Sequence, residues 1–286
     1  MNPGVEAKEA AALRTAAGAA GAGKRALRAF DGVICFGGED WWYHNRGHFD
    51  MQMMREISAG VPVLYVNSIG MRVPRIGEGG MFFRRLLRKL RSLRRGLVRV
   101  RERFAVFTPA AAPGRLGSAV TRRILPFQVR RAARRAGIHR PLIWVACPPA
   151  AAVIDALRPA GVVYQRTDRF ESFAGVDREQ ILACDHLLKE RADTVIYCSS
   201  WLMDEEQRES PRALFVDHGV DFDRFSAAGQ ARGRDPEDLR DLAHPRVGFI
   251  GGIDAHTFDP PLFHEVAARL PEVRFFLVGS SSLPPR

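Results

Sequence analysis

Short, nearly continuous apolar runs recur along this chain with helical stretches between them, and that repetition decides what it can fold into. The runs are GVICFG (32–37), VPVLYVNS (61–68), FAVFTP (104–109), PLIWVACP (141–148), GVVYQRTD (161–168), DTVIYCSS (193–200) and ALFVDHG (213–219). A strand wetted on one face alternates apolar and polar residues. These runs are apolar at consecutive positions, as strands buried on both faces are. Amphipathic segments from His48 to Ala59 and from Arg178 to Arg191 stand between some of them. Strand, helix, strand repetition predicts an α/β fold built on a doubly wound parallel sheet. Its ligands are then expected in a crevice at the carboxyl ends of the strands.

This Rossmann-like sheet is expected to occupy residues 30–225, after an Ala- and Gly-rich flexible tail at 1–29. SAAGQARGRDPEDLRDLAHP is polar, punctuated by Gly and Pro and free of strand pattern, and reads as a linker at 226–245. A new alternation follows: strand RVGFIGG (246–252), a helix from about Pro260 to Leu270, and strand VRFFLVG (273–279). One strand, one helix and one strand cannot bury a core of their own. Residues 246–286 are therefore expected to be the beginning of a second Rossmann-like domain.

Across 286 residues, 43 Lys and Arg stand against 32 Asp and Glu, a formal charge of +11, so an anionic partner is expected: phosphate, nucleic acid or lipid headgroup. Cys35, Cys147, Cys184 and Cys198 lack C-x-x-C spacing, and three of them lie in apolar runs, which predicts thiols of a reducing compartment. Glu6, Lys8, Glu9 and Arg14 interrupt any secretory h-region, and no run nears the roughly 18 apolar residues that span a bilayer.

The richest local cluster is GGEDWWYHNRGHFD (37–50). Gly37 and Gly38 permit a sharp turn, Glu39 and Asp40 offer carboxylates, and Trp41 and Trp42 offer flat faces on which a sugar ring could stack. The spacing is not the G-x-G-x-x-G that brings a pyrophosphate to a helix N-terminus. YQRTDRFESF (164–173) places Asp168 and Glu171 as bases or hydroxyl anchors at the same crevice, with Arg166 and Arg169 as phosphate contacts; surface charge at a strand exit is the competing reading. In MFFRRLLRKLRSLRR (81–95), Phe82, Leu86, Leu90, Leu93 and Leu97 form one helical stripe, flanked or opposed by Arg84, Arg85, Arg88, Arg91, Arg94 and Arg95. Such a helix suits an anionic membrane interface. A sheet-packed helix with a solvated basic face is the alternative, and nucleic acid is disfavoured because leucines stand where stacking platforms would be needed. No glycine loop carries a Walker lysine, and His264-Glu265 lacks the second His of a zinc-protease helix. Asp221-x-Asp223, within HGVDFDRF (218–225), has the spacing of a metal-holding pair but also stands where one sheet ends and another begins.

The order of these pieces resembles the two-domain GT-B glycosyltransferases, in particular the bacterial group of family 1, teichuronic-acid type. Asp40-Trp41 and Arg46-Gly47-His48 are similar to that group's early D-W and R-P-Q-H-like stretches. ERADTVIYCSSWL (190–202) resembles its E-x-A-D-x-V-x-x-x-S-x-x-L. HGVDFDRF resembles its N-G-V-D-x-x-x-F, with His218 in place of Asn. VGFIGGIDAHTFDPPLFHEVAARLPEVRFFLVG resembles the opening of its second domain. The likeness covers about residues 31–279 and favours the hinge reading of Asp221 and Asp223.

The resemblance implies transfer of a sugar from a nucleotide-diphosphate donor to a cell-envelope glycan or lipid-linked acceptor, without metal or cofactor. Acceptor would bind the first domain through Gly37, Gly38, Trp41, Trp42 and Asp168, with Asp40 and His48 as the groups nearest the chemistry. Gly251, Gly252 and Asp254 would approach the donor diphosphate. The expected setting is cytoplasmic, peripheral at the inner face of the plasma membrane, with contact through Phe82, Arg84, Arg85, Leu86, Arg88, Leu90 and Arg91. In that group a basic residue and paired glutamates for the donor lie farther along the second domain, in the part expected past Arg286. The chain as it stands is therefore expected to have little or no transferase activity. The alternative is a non-enzymatic module that keeps the fold and binds an anionic membrane surface.

Overall fold

The computed structural model describes residues 30–43, 47–69, 91–110, 114–173, 175–210, 212–230, 233, 235–254 and 258–281. The expected tail at 1–29 lies outside them, as do Phe82, Arg84, Arg85, Leu86, Arg88 and Leu90 of the basic stretch. The chain divides into two compact units between Gly219 and Val220.

In the first unit every apolar run becomes a strand: β1 (Gly32–Phe36), β2 (Val63–Val66), β4 (Phe104–Phe107), β5 (Pro141–Val145), β6 (Gly161–Arg166), β7 (Thr194–Tyr197) and β8 (Ala213–Phe215). A further strand, β3 (Leu97–Arg101), completes an eight-stranded sheet of order β3-β4-β2-β1-β5-β6-β7-β8. All neighbours run parallel except β3 and β4. The helical stripe expected to reach Leu97 stops short of it. Residues 91–95 are helical, Gly96 takes a φ of 56°, and Leu97 opens β3. A left-handed residue ends a helix, and glycine adopts that conformation without a Cβ clash. Leu-Val-Arg-Val-Arg then alternates as an edge strand does and turns back through Glu102 and Arg103 onto β4.

Four helices flank the sheet: α1 (Phe49–Ile57), α2 (Gly114–Arg135), α3 (Arg178–Arg191) and α4 (Ser200–Glu206). The period of two along β1 sorts its side chains. Val33 and Cys35 join Met51 and Met54 of α1, Trp41, Tyr65, Phe104 and Trp144. Ile34 and Phe36 join Leu125, Val129, Ala132 and Ala133 of α2, Leu188 of α3 and Leu202 of α4. Both faces of the central strands are thus covered, which is why their runs are continuously apolar. Among the described residues no helix is long and apolar enough to cross a membrane.

The second unit contains α5 (Phe222–Gln230), β9 (Arg246–Ile250), α6 (Pro260–Arg269) and β10 (Arg274–Val278), with β9 and β10 parallel. Asp259 caps α6 by accepting from the Leu262 N–H at 3.0 Å, one residue before a proline at the first helical position. Phe263 of α6 sits 5.2 Å from Phe258 and 5.6 Å from Phe275, and Phe258 sits 5.0 Å from Phe249, a chain of rings that joins the helix to both strands. Asp221 of the D-x-D pair accepts from the Arg224 N–H at 3.2 Å at the start of α5, the part of a helix cap. Among the described residues no group of three or more His, Cys, Asp or Glu side chains is placed to hold a metal ion.

Candidate functional site

The sheet changes direction beside β1. From β1 the chain moves outward to β2 and β4, then returns to the other side of β1 with β5. The carboxyl ends of β1 and β5 therefore flank the switch point, where an open α/β sheet leaves its crevice. The loops after these strands meet there: a side chain at Gly38 would begin 3.6 Å from the Ala146 carbonyl oxygen.

Gly37 is required by its neighbour rather than by its own backbone. A Cβ there would lie 2.1 Å from the ring of Tyr65. The Tyr65 hydroxyl passes over this glycine to donate to Asp50 Oδ2 at 2.8 Å, and also faces the Glu39 carbonyl at 3.2 Å. The Gly38 N–H donates to the same Asp50 oxygen at 3.0 Å. Asp50 is buried in the first turn of α1, where the helix favours a carboxylate. Burial, reinforced by the Asp50 carboxylate, pushes the Tyr65 phenol well above its ordinary value, so the hydroxyl stays a donor.

Asp40 closes the other half of the turn. One carboxylate oxygen accepts from the Trp42 N–H at 2.9 Å and the other from the Ser92 hydroxyl at 2.9 Å. Ser92 lies 3.2 Å from the Thr108 hydroxyl, Thr108 accepts from Asn67 Nδ2 at 2.8 Å, and Asn67 Oδ1 accepts from the Trp41 N–H at 2.9 Å. Ser92, Asn67 and Thr108 are all buried. The network ties the loop to the ends of β2 and β4 and to the helical segment 91–95.

The two tryptophans part company within this turn. Trp41 is 2% exposed and packs on Phe104 at 4.8 Å and Tyr65 at 5.4 Å. It is a core residue, not the stacking face expected of it. Trp42 is half-buried, with the Arg95 guanidinium 4.5 Å over its ring. His48 is exposed immediately before α1, and its carbonyl accepts from the Gln52 N–H at 3.0 Å. Gly37, Gly38, Asp40 and Trp42 are thus brought into one turn. Asp168 is exposed at the exit of β6, a strand separated from β1 by β5. In the second unit Gly251 and Gly252 follow β9 and are exposed, Asp254 is half-buried, and a Cβ at Gly279 would meet the Gly251 carbonyl at 1.8 Å. Arg91 is exposed in the segment 91–95.

Asp50, Tyr65, Asn67, Ser92 and Thr108 hold this turn, and sequence reasoning passed over them. The one available signal was Asn67-Ser68, a polar pair ending an otherwise apolar run.

Below the exit of β6 lies a buried ionic cluster. Arg166, 1% exposed, meets Glu171 at 3.1 Å, Glu206 at 2.9 Å and Asp185 at 3.3 Å. Lys189 meets Asp185 at 2.8 Å, Glu206 at 2.8 Å and Glu209 at 2.9 Å. Tyr164 donates to Asp185 at 2.6 Å. Burial alone would raise Glu171 and Glu206, but hydrogen bonds from Arg166, with Lys189 adding to those on Glu206, hold both below their ordinary range. Arg166 also donates to the Asp168 carbonyl at 2.8 Å, so the cluster positions the β6 exit from beneath. The expected phosphate contact at Arg166 is replaced by this internal role: its guanidinium is committed to carboxylates and a carbonyl. Glu171, expected as a base, is likewise bound to Arg166.

The turn's Gly38, Trp41 and Trp42 N–H groups are spent on Asp50, Asn67 and Asp40, so what it presents beside the switch point is exposed His48 with half-buried Glu39, Asp40 and Trp42. No protein-family model matches the chain, and no curated protein matches it in sequence.

Proposed function

We propose that this chain belongs to a glycosyltransferase that moves a sugar from a nucleotide diphosphate to a cell-envelope glycan or lipid-linked acceptor. The observation that carries the reading is a device used twice. In the first unit β1 ends in Gly37-Gly38 and leads through α1 to the parallel β2. In the second, β9 ends in Ile250, Gly251-Gly252 follow, and α6 leads to the parallel β10. Two α/β units that each contain the series strand, Gly-Gly, helix, parallel strand suit a reaction in which acceptor and donor are held on separate units. The second unit is read as the opening of a Rossmann-like donor domain, with the Gly251-Gly252 turn admitting the diphosphate closely. On the first unit, Gly38, Trp42 and His48 face the acceptor, and Asp40 acts by holding the turn in shape. Basic groups and backbone N–H groups stabilise the leaving diphosphate.

Titration with UDP and GDP, followed by ligand-observed NMR, tests the reading. Binding of either nucleotide is expected, weakened at least about tenfold by Gly251→Val with Gly252→Val. Equal binding by that variant, or none by the native chain, would overturn the donor placement.

A further inference from the structure

The longest helix, α2, rests on the sheet through Leu125, Val129, Ala132 and Ala133 and turns its opposite side outward. There Val120 is 52% exposed, Ile124 39% and Phe127 63%. Their spacing of i, i+4, i+7 stacks them into one apolar ridge about two turns long. Arg122, Arg123, Arg130, Arg131, Arg134 and Arg135 are exposed on the same helix, and none of its 22 residues is Asp or Glu. Among the described residues Arg130 donates to the Ala156 carbonyl at 2.9 Å, and none of these arginines pairs with a carboxylate.

A ridge of this kind is out of place in water and equally so against a nucleic-acid backbone, which asks for charge and stacking platforms but not for Val and Ile. An anionic bilayer takes both parts. The ridge enters the boundary between headgroups and acyl chains while the guanidinium groups remain among the lipid phosphates. We propose that the outward face of α2 docks the protein on an anionic lipid surface, with Val120, Ile124 and Phe127 inserted and Arg123, Arg131, Arg134 and Arg135 around them. The charge complementarity of an acid-free basic helix selects an anionic bilayer over a neutral one. This does not rest on the glycosyl-transfer reading, since vesicles alone report it.

Co-sedimentation of the full chain with phosphatidylcholine vesicles, with and without phosphatidylglycerol, is the test. The native chain is expected to partition onto the phosphatidylglycerol vesicles and to leave them as salt rises. Ile124→Ser with Phe127→Ser, and separately Arg131→Gln with Arg134→Gln and Arg135→Gln, should each lower the partition coefficient at least about tenfold. Both sets lie on exposed positions, and thermal melts matching the native chain confirm that folding is kept. Phe127→Trp should bind at least as tightly, because indole favours the interface. Native-like binding by both multiple variants would show that the contact lies elsewhere, in residues 81–95 for example, and would overturn the assignment. So would no binding by the native chain, equal binding to neutral vesicles, or a short DNA duplex that displaces the vesicles.

Discussion

β1 and β9, the first strands of their units, share one chemistry, an apolar run followed by two glycines, yet they live in different surroundings. Every residue of β1 is buried, between β2 and β5 and under helices on both faces. In β9 Val247 is 49% exposed and Ile250 80%, and in β10 Val278 is 50% exposed. A continuous apolar run states what a strand requires, while neighbours supply it. In the first unit seven other strands and four helices do so. In the second, Phe249, Phe258, Phe263 and Phe275 pack on one another yet stay only half-buried, and Ile253 is the one buried residue among those described.

Arg166→Met should separate the two units most strongly. It leaves the carboxylates around it without their main cation and is expected to cost the first unit about 3–5 kcal/mol. All four tryptophans, Trp41, Trp42, Trp144 and Trp201, lie in that unit, so a urea melt followed by indole fluorescence reads it alone. Hydrogen exchange at the β9 and β10 amides should stay unchanged; parallel loss in both units would mean that they do not unfold separately.

The paired glycines come next. Gly37→Ala drives a methyl into the Tyr65 ring and should cost about 1–3 kcal/mol, with part of the loss recovered by Tyr65→Leu. Gly251→Ala meets only the Phe249 ring edge at 3.2 Å, on an exposed turn, and should stay within about 0.5 kcal/mol. Similar losses at the two sites in paired urea melts would dissolve the distinction.

Acid provides a gentler probe. Glu171 and Glu206 are held below the ordinary carboxylate range in the folded chain, so the unfolded chain binds more protons as that range is approached from above. Their contribution is complete above the ordinary carboxylate value and fades as pH falls through the folded values. Fluorescence-monitored stability should show that decline in the native chain, and it should shrink in Glu171→Gln. The smallest effect is in thiol labelling. Burial raises Cys147 and Cys198 to about 12 and leaves Cys35 well above its ordinary value, so half-buried Cys184 should react first under native conditions. Early labelling of Cys35 would mean that the core around β1 opens.

The strands β1, β2, β4 to β8, β9 and β10 were legible because burial on two faces leaves a local mark in composition. β3 was not, since Leu97 continues the leucine spacing of the preceding helix and only the left-handed Gly96 breaks it. α2 was hidden by its arginines and by Pro126, which is buried inside the helix yet reads as a stop. In the candidate site the Gly-Gly turn was readable from its place after a strand. Its supports were not: Tyr65, Ser92 and Thr108 reach the turn from distant parts of the chain, and spacing carries no record of such meetings. Trp41 and Trp42 differ by one position in a turn, and local sequence does not say which of two adjacent indoles points inward. The ionic cluster gathers Arg166, Asp185, Lys189 and Glu206 from β6, α3 and α4, each unremarkable where it stands.

The two margins of the large sheet have a consequence for how the protein meets others. An unpaired strand border is a template for stacking with another chain. Among the described residues one border is β3, whose exposed Arg99 and Arg101 would bring like charges together against the same strand of a second copy, and the other is β8, only three residues long. Sheet extension is thus discouraged on both sides, by repulsion at one and by brevity at the other. Encounters of the first unit are left to its helix surfaces and to the loops at the strand ends.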